Sequence, residues 1–541
     1  MEESILLAGD VDAIKEFVFE TSSLPQIRGG SDLLLECEEQ IRGPLQARHG
    51  YKVIYCGGGS FLLQVPPDRA EEVKRDLERL YLEQTLIATV TIVCENPLAV
   101  GPTPTAINGW AGRLLKAAQK VTLDGSFAHR MFALSTRMRE AKDRKMSAPF
   151  YEAFPFGRRC DRCGRRMAAF PDPIEPDKRL CPVCERRTSR GRQRDQEVRG
   201  RFNQEFWKRY QTSGYRAQQP EDLDTLVKGA KREYLAFVYA DGNNIGSLLH
   251  QARSPEQYGR LSKAIEEGTK EALFSAIAEV CGHALQTQEY WPFDIVNVGG
   301  DDVTLLIQAG YAWEVAVKFL EQFEKEINAR LQSLHDAPPT KVTTSCGIVI
   351  ADVRYPMRYF EHLARDLLKE AKKCAKREPD TLRSALTFLW LPSPVASEKA
   401  EPLIGYYSRP ATEGLHRELT ARPYDLGQAR ELLEASQDMA RWPRTLRHRW
   451  AEALERGVMS SVNLIHYDIA RRSDEKRTEM YQTLTRVGKL AASGEGSMDI
   501  PAPIWYQAQR EGKSFWRTAL VDALELAELE GMKPDVEEEA E

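Results

Sequence analysis

The sequence contains no run of about 18 uninterrupted apolar residues, so no segment is expected to cross a membrane as a helix. Its start, MEESILLAGD, has neither the basic n-region nor the long apolar h-region of a secretory signal, which points to a cytoplasmic protein. There is little net charge, −5 from 75 Lys+Arg and 80 Asp+Glu, and that balance alone implies no partner. Cysteine is sparse, ten in 541 residues, which excludes a disulfide scaffold. Six of the ten (Cys37, Cys56, Cys94, Cys281, Cys346 and Cys374) stand singly, mostly in apolar contexts. They read as small core residues in a reducing compartment. With 42% apolar and 29% charged residues, the chain is neither disordered, collagenous nor a simple coiled coil. Its length suggests about three to five domains.

What is present is more telling. With a helix between the first strand and the hairpin of the first set, strand-like, helical and hairpin patterns occur twice in the same order. The first set is a strand at 4–9, a hairpin of 51–56 and 61–65 around GGGS, a helix at 67–83, a β-rich run at 86–94 and a helix at 109–120. The second is a strand at 232–240, a helix at 256–285, a hairpin of 293–298 and 303–308 around GGDD, a helix at 312–333, a strand at 341–351 and a helix at 356–376. Segments also align. LAGDVDAIKEF (7–17) matches VYADGNNIGSL (238–248), YCGGGSFLL (55–63) matches NVGGDDVTL (297–305), and GRLLKAAQK (112–120) matches RDLLKEAKK (365–373). Asp10 thus faces Asp241, and Gln119 faces Lys372. An internal duplication of a ferredoxin-like domain follows, giving an α+β chain. The expected division is a first copy of this domain at 1–145, an Arg-rich insert at 146–225, a second copy at 226–395 and an all-α region at 396–541 with an acidic tail.

Chemistry concentrates in the second copy. In this topology the end of the first strand and the turn of the hairpin lie at one sheet edge, so Asp241 should converge with Gly299-Gly300-Asp301-Asp302. The glycines allow a tight turn and close approach of a nucleotide to the backbone. Clustered carboxylates repel one another unless a cation sits between them, and hard oxygen ligands suit Mg²⁺ or Mn²⁺. Two such ions could activate a ribose 3′-hydroxyl and stabilise a leaving pyrophosphate. Lys372 could neutralise phosphates. The first copy has Gly59 and Ser60 at the Asp301 and Asp302 positions, and Gln119 for Lys372, so it is expected to be non-catalytic.

YADGNNIG (239–246), VNVGGDDVTLL (296–306) and LARDLLKEAKK (363–373) resemble the palm domain of the Cas10 large subunit of type III CRISPR effectors. GDVDAIKEFVFETSSLPQIRGGSDLL (9–34) resembles that family's first palm. The resemblance implies an ATP-using nucleotidyltransferase that makes cyclic oligoadenylates when an RNA-guided complex binds target RNA. It implies other type III Cas subunits, guide RNA and target RNA as partners, and no membrane. By position, Asp241, Asp301 and Asp302 would hold the metals and Lys372 would touch triphosphate. Gly242, Asn244, Gly246, Gly299 and Gly300 fall in the matching motifs. Two departures stand out. Asn243 replaces the second Asp usual in the D-G-D-N stretch, and no clustered histidines of an HD nuclease precede the first palm, the first histidine being His49. A standalone nucleotide cyclase without guide RNA and a silent scaffold subunit are the alternative readings.

Between the copies, Cys160-x2-Cys163 and Cys181-x2-Cys184 are separated by 17 residues. Two such knuckles offer four thiolates to a tetrahedral Zn²⁺, leaving no open position, so the ion would be structural. From Arg158 to Arg216 there are 17 Lys+Arg against 8 Asp+Glu. That excess suits either an RNA or acidic contact or a solvated basic face.

Overall fold

Two antiparallel sheets repeat one path. In the computed structural model the described residues are 4–95, 126–145, 156–192, 198–377, 382–409, 416–492, 504–510 and 513–534. The first sheet orders its strands Lys52–Gly57, Ser60–Val65, Ile5–Val11 and Val90–Cys94. The second orders Phe293–Gly299, Asp302–Gln308, Tyr234–Asn243 and Thr343–Asp352 in the same relative places. Each has the ferredoxin-like order in which the first strand lies between the third and the fourth. The second sheet then gains Ala385–Trp390, parallel to Thr343–Asp352, and the short Tyr424–Asp425.

The duplication extends to irregularities. Each hairpin has a register shift at the corresponding place, between Val53 and Tyr55 and between Ile295 and Asn297. Asp10 pairs across the first sheet with Ser60. In the second sheet the pairing runs from Leu235–Gln308 to Ala240–Val303, so Asp241 and Asp302 come one step beyond. Strand Tyr234–Asn243 is longer than the sequence pattern suggests, because Asp241, Gly242 and Asn243 remain paired to Ser345, Thr344 and Thr343. The expected helix at 109–120, with Gln119, lies outside the described residues.

Helices cover the sheets with their apolar faces. Helix Met357–Ala375 buries Phe360, Leu363, Ala364, Leu367, Leu368 and Ala371, the spacing of one helical stripe. Helix Pro255–Thr287 starts at Ser254, whose side chain accepts from the Gln257 amide at 3.2 Å, with Pro255 in the first turn.

The two palms are joined by buried polar contacts. Arg28, from helix Leu24–Arg42 of the first palm, donates through Nε to Asp294 of the second at 2.8 Å, and both side chains are inaccessible to solvent. Gly58 packs directly on Gly299, so that a Cβ on Gly299 would stand 2.5 Å from the Gly58 Cα. The two hairpin turns therefore meet backbone to backbone.

The region after 396 carries helices Leu426–Ala440, Arg444–Arg456, Val458–Ala470, Asp474–Ala491 and Leu520–Glu530. The expectation of an all-α region is corrected in one respect. Segments Ser408–Arg409, His416–Glu418, Lys513–Arg517 and Tyr506–Arg510 form a small sheet. Its central pairing joins His416 to Phe515, about a hundred residues apart, so no local pattern announces it. The basic, aromatic stretch at 441–450 is helix packing. Trp442 and Trp450 stack edge to face at 5.5 Å, and Trp450 donates to Asp468 at 2.9 Å. No helix among the described residues is long and apolar enough to cross a membrane.

Candidate active site

The hairpin turn of the second palm sets the first part of the site. Gly299 pairs with Asp302, which leaves Gly300 and Asp301 as the two central residues. Gly300 has φ +64° and Asp301 does not share the left-handed conformation, the pattern of a turn with glycine first. In the first palm both central residues, Gly58 and Gly59, have positive φ, which favours glycine at the Asp301 position. The loss of that carboxylate is therefore tied to a different turn.

Asp301 rests against strand Tyr234–Asn243. A Cβ on Gly242 would lie 2.7 Å from Asp301 Oδ2, so glycine here admits the carboxylate. Desolvation pushes the Asp301 carboxyl up to about 7, and the Asp302 charge adds to the rise. Hydrogen bonds from its own backbone and from Gly242 oppose it.

Each of the other two aspartates is held by a lysine. Lys372, near the end of helix Met357–Ala375, pairs with Asp241 and donates to the Gly242 carbonyl at 3.4 Å. Burial lowers its ammonium from the usual lysine range, and Lys376 adds to the effect. Lys15 comes from the first palm, on the one-turn helix Ile14–Val18. Its Nζ is 2.8 Å from Asp302 Oδ2 and 3.0 Å from Thr304 Oγ1, over the Tyr239 ring at 4.6 Å.

The three aspartates share one sheet edge but do not form a closed ligand set. Among the described residues, the groups of three or more such ligand atoms within 4.8 Å of one another are the four cysteines and His49, Glu72 and Asp76. Even so, Asp302 Oδ1 is buried with no hydrogen-bond partner. A desolvated carboxylate oxygen of this kind is a donor that a hard divalent cation accepts, so the residues fit Mg²⁺ or Mn²⁺.

Asn243 turns to structure. Its amide donates to Thr343 at 3.0 Å, and its carbonyl accepts from Ser345 at 2.9 Å, with the side chain buried. Asn244 has φ +60° and opens helix Ile245–Leu249, as Ala13 with φ +53° opens Ile14–Val18. Between the palms lies a cavity of about 380 Å³. Asp10 and Ser60 line it from the first palm, Gly246, Gly300 and Asp301 from the second, and Met131, Ile245 and Tyr258 are among its apolar walls. In the first palm, Asp10 and Asp12 are paired with Lys142 and Lys145.

A family model described as Cas10/Cmr2, second palm domain, matches residues 234–380. The chain carries a Cas10/Cmr2 second palm domain. That span includes Asp241, the whole turn 299–302 and Lys372 of the Cas10 palm. Solved structures share the wider fold. The Csm1–Csm4 cassette in complex with cA4 is 15% identical, covers 98% of this chain and 70% of its own, and has a TM-score of 0.52. The cassette in complex with cA3 is 13% identical, with the same coverage and TM-score. Csm1 in T. onnurineus is 15% identical over 87% of this chain and 64% of its own, with a TM-score of 0.50. No curated protein matches this chain significantly.

The four cysteines lie beside the first palm-like domain. Cys160, Cys181 and Cys184 are buried, Cys163 is half-buried, and the Cys163 and Cys181 sulfurs are 3.9 Å apart. Hydrogen bonding from Cys163, then Cys181 and Cys184, draws the Cys160 thiol well below its ordinary range. Four mutually close sulfurs fit a structural Zn²⁺. Cys181 caps helix Pro182–Gly191, which crosses Leu24–Arg42 at Gly29 and Gly191. Arg165, Arg166 and Arg187 converge on Glu20, whose side chain is 3% exposed. Arg190 and Arg201 pair with Glu36 and Glu39. Much of the basic excess therefore anchors the insert to the first palm.

Sequence reasoning missed Lys15. The alignment of the copies carried the signal, because Lys15 falls where the second copy has Gly246. Gly246 lines the cavity with Asp10 and Ser60, while Lys15 meets Asp302 at the opposing edge.

Proposed function

We propose that this chain is the Cas10-type large subunit of a type III CRISPR effector, and that its second palm converts ATP to cyclic oligoadenylates. The observation that carries the reading is the match to a Cas10/Cmr2 palm at 234–380 with Asp241, Asp301 and Asp302 at one sheet edge, where Asp301 and Gly300 line the cavity between the palms. Csm1–Csm4 cassettes of the same fold have been solved with cA4, cA3 and pppApA, which supports adenylate chemistry here.

Asp241, Asp301 and Asp302 would hold two Mg²⁺ or Mn²⁺ ions, which supply charge neutralisation and activation of a 3′-hydroxyl when bound. Of the three glycines expected to admit phosphate, Gly242 is taken up by Asp301 and Gly299 by Gly58, which leaves Gly300 facing the cavity for the nucleotide, with Asn244 at the start of the following helix. Lys372 exchanges Asp241 for a phosphate oxygen of the nucleotide. The apolar walls of the cavity orient the base and exclude water. The first palm, with Ser60 in place of a carboxylate, is a non-catalytic partner that closes the cavity. Zn²⁺ on Cys160, Cys163, Cys181 and Cys184 is structural. The partners are a Csm4-like subunit, other type III Cas proteins, guide RNA and target RNA, in the cytoplasm.

Replacing Asp301 and Asp302 together by alanine tests the reading. The variant is expected to fold and assemble while ATP conversion falls by orders of magnitude. Unchanged ATP conversion would leave the chain as a scaffold whose palm does not react.

A further inference from the structure

We propose that Lys15 of the first palm is a positioning residue of the second palm's metal site, competing with a divalent cation for Asp302 and passing to phosphate when nucleotide arrives. The inference rests on the metal-dependent reading of Asp302 given above and deepens it.

Three observations carry it. Lys15 Nζ takes one oxygen of Asp302 at 2.8 Å while the other oxygen is buried and unpartnered. A cation that ligates this carboxylate must therefore share it with, or take it from, an ammonium already in place. Second, the backbone of Lys15 is anchored while its side chain is the long, flexible element. The Phe17 carbonyl accepts from Arg187 at 2.8 Å, and Arg187 also pairs with Glu20 three residues on. The ammonium can swing over the Tyr239 face without moving the helix. Third, the two copies differ at this point: Gly246 presents no charge to Asp10 and Ser60, whereas Lys15 presents one to Asp302.

Two opposite effects follow. Without nucleotide, Lys15 weakens capture of a bare divalent ion, because the ion must displace a charge-assisted hydrogen bond. With nucleotide, the triphosphate supplies anionic oxygens beside Asp302, and the same ammonium strengthens binding of the metal–nucleotide pair. The first palm would thereby bias the site toward metal that arrives with its nucleotide.

The test uses the full chain, with Mn²⁺ followed by electron paramagnetic resonance and a non-hydrolysable ATP analogue. Lys15→Gln keeps a donor for Thr304, and Lys15→Met, which keeps the stem over Tyr239, serves if the first variant does not fold. Loss of the charge is expected to tighten Mn²⁺ alone about tenfold and to weaken the Mn²⁺–analogue complex by about the same factor. Lys15→Arg should restore most of the nucleotide affinity. Affinities that do not move, or that both fall together, would overturn the inference and leave Lys15 as a brace of the hairpin. Asp302→Ala is the separate control. If it does not change Mn²⁺ binding in the otherwise native chain, the metal reading of Asp302 fails, and this inference fails with it.

Discussion

Replacing Gly242 by alanine adds one methyl group and no charge, yet it should disable the second palm. The glycine has no positive φ, so alanine brings no backbone strain. Its Cβ would, however, stand 2.7 Å from Asp301 Oδ2, 2.9 Å from Asp301 Cβ and 2.5 Å from the Ile245 side chain. Ordinary van der Waals contact begins near 3.4 Å, so the carboxylate must retreat by about 0.7 Å or the turn must shift. A displacement approaching 1 Å at reacting groups costs on the order of 10²-fold in rate. The assay is conversion of labelled ATP with Mg²⁺ in the assembled complex, beside circular dichroism to confirm folding. Gly246→Ala, where a Cβ meets nothing within 4 Å, leaves Asp301 in place and should lose less. A Gly242→Ala protein with the native rate would refute the placement of Asp301 in the reaction.

Other perturbations test the frame. Arg28→Ala strands the fully buried Asp294 with only Asn203 as a side-chain donor and should cost about 3–5 kcal/mol in denaturant unfolding, whereas Arg28→Met with Asp294→Leu should cost far less. Equal losses from the two would show that the charge is not what matters. The purified chain should hold about one Zn²⁺, released by Cys181→Ser with loss of the insert's protease resistance; a metal-free wild-type chain by elemental analysis would contradict this. Burial raises the Glu38 carboxyl to about 7 from an ordinary 4.5, opposed by hydrogen bonding from Gly59 and by the charges of Arg42 and Lys270, and reinforced by Glu266. The native state then keeps a proton that the unfolded chain has released, so stability falls as pH rises from about 4.5 to 7 and stays lower above it. Glu38→Gln should flatten that slope by roughly 1–3 kcal/mol in pH-dependent denaturant melts, and an unchanged slope would remove Glu38 as its source.

The palms were legible because their information is local. Apolar strands flanking GGGS and GGDD, an aspartate ending the first strand and an amphipathic helix bearing Lys372 all lie within short windows. The four cysteines were legible for the same reason. What stayed hidden depends on contacts between distant segments. Lys15 meets Asp302 across 287 positions, Arg28 meets Asp294 across 266, and the small sheet near the end pairs His416 with Phe515. Nor did composition reveal that Arg165, Arg166 and Arg187 are drawn to the buried Glu20, because a basic cluster looks alike whether its partner is RNA or a neighbouring helix. The departure at Asn243 was visible in the sequence, but its reason, a buried bond to Thr343 and Ser345, belongs to the folded sheet.

The most direct measurement is mass spectrometry of the products formed from ATP by the chain assembled with its guide RNA and partner subunits, with and without complementary target RNA. The account predicts cyclic oligoadenylates and pyrophosphate only when target RNA and Mg²⁺ or Mn²⁺ are present, and none when Asp301 and Asp302 are replaced by alanine. ATP left intact with every component present, or an equal yield from the replaced chain, would contradict it.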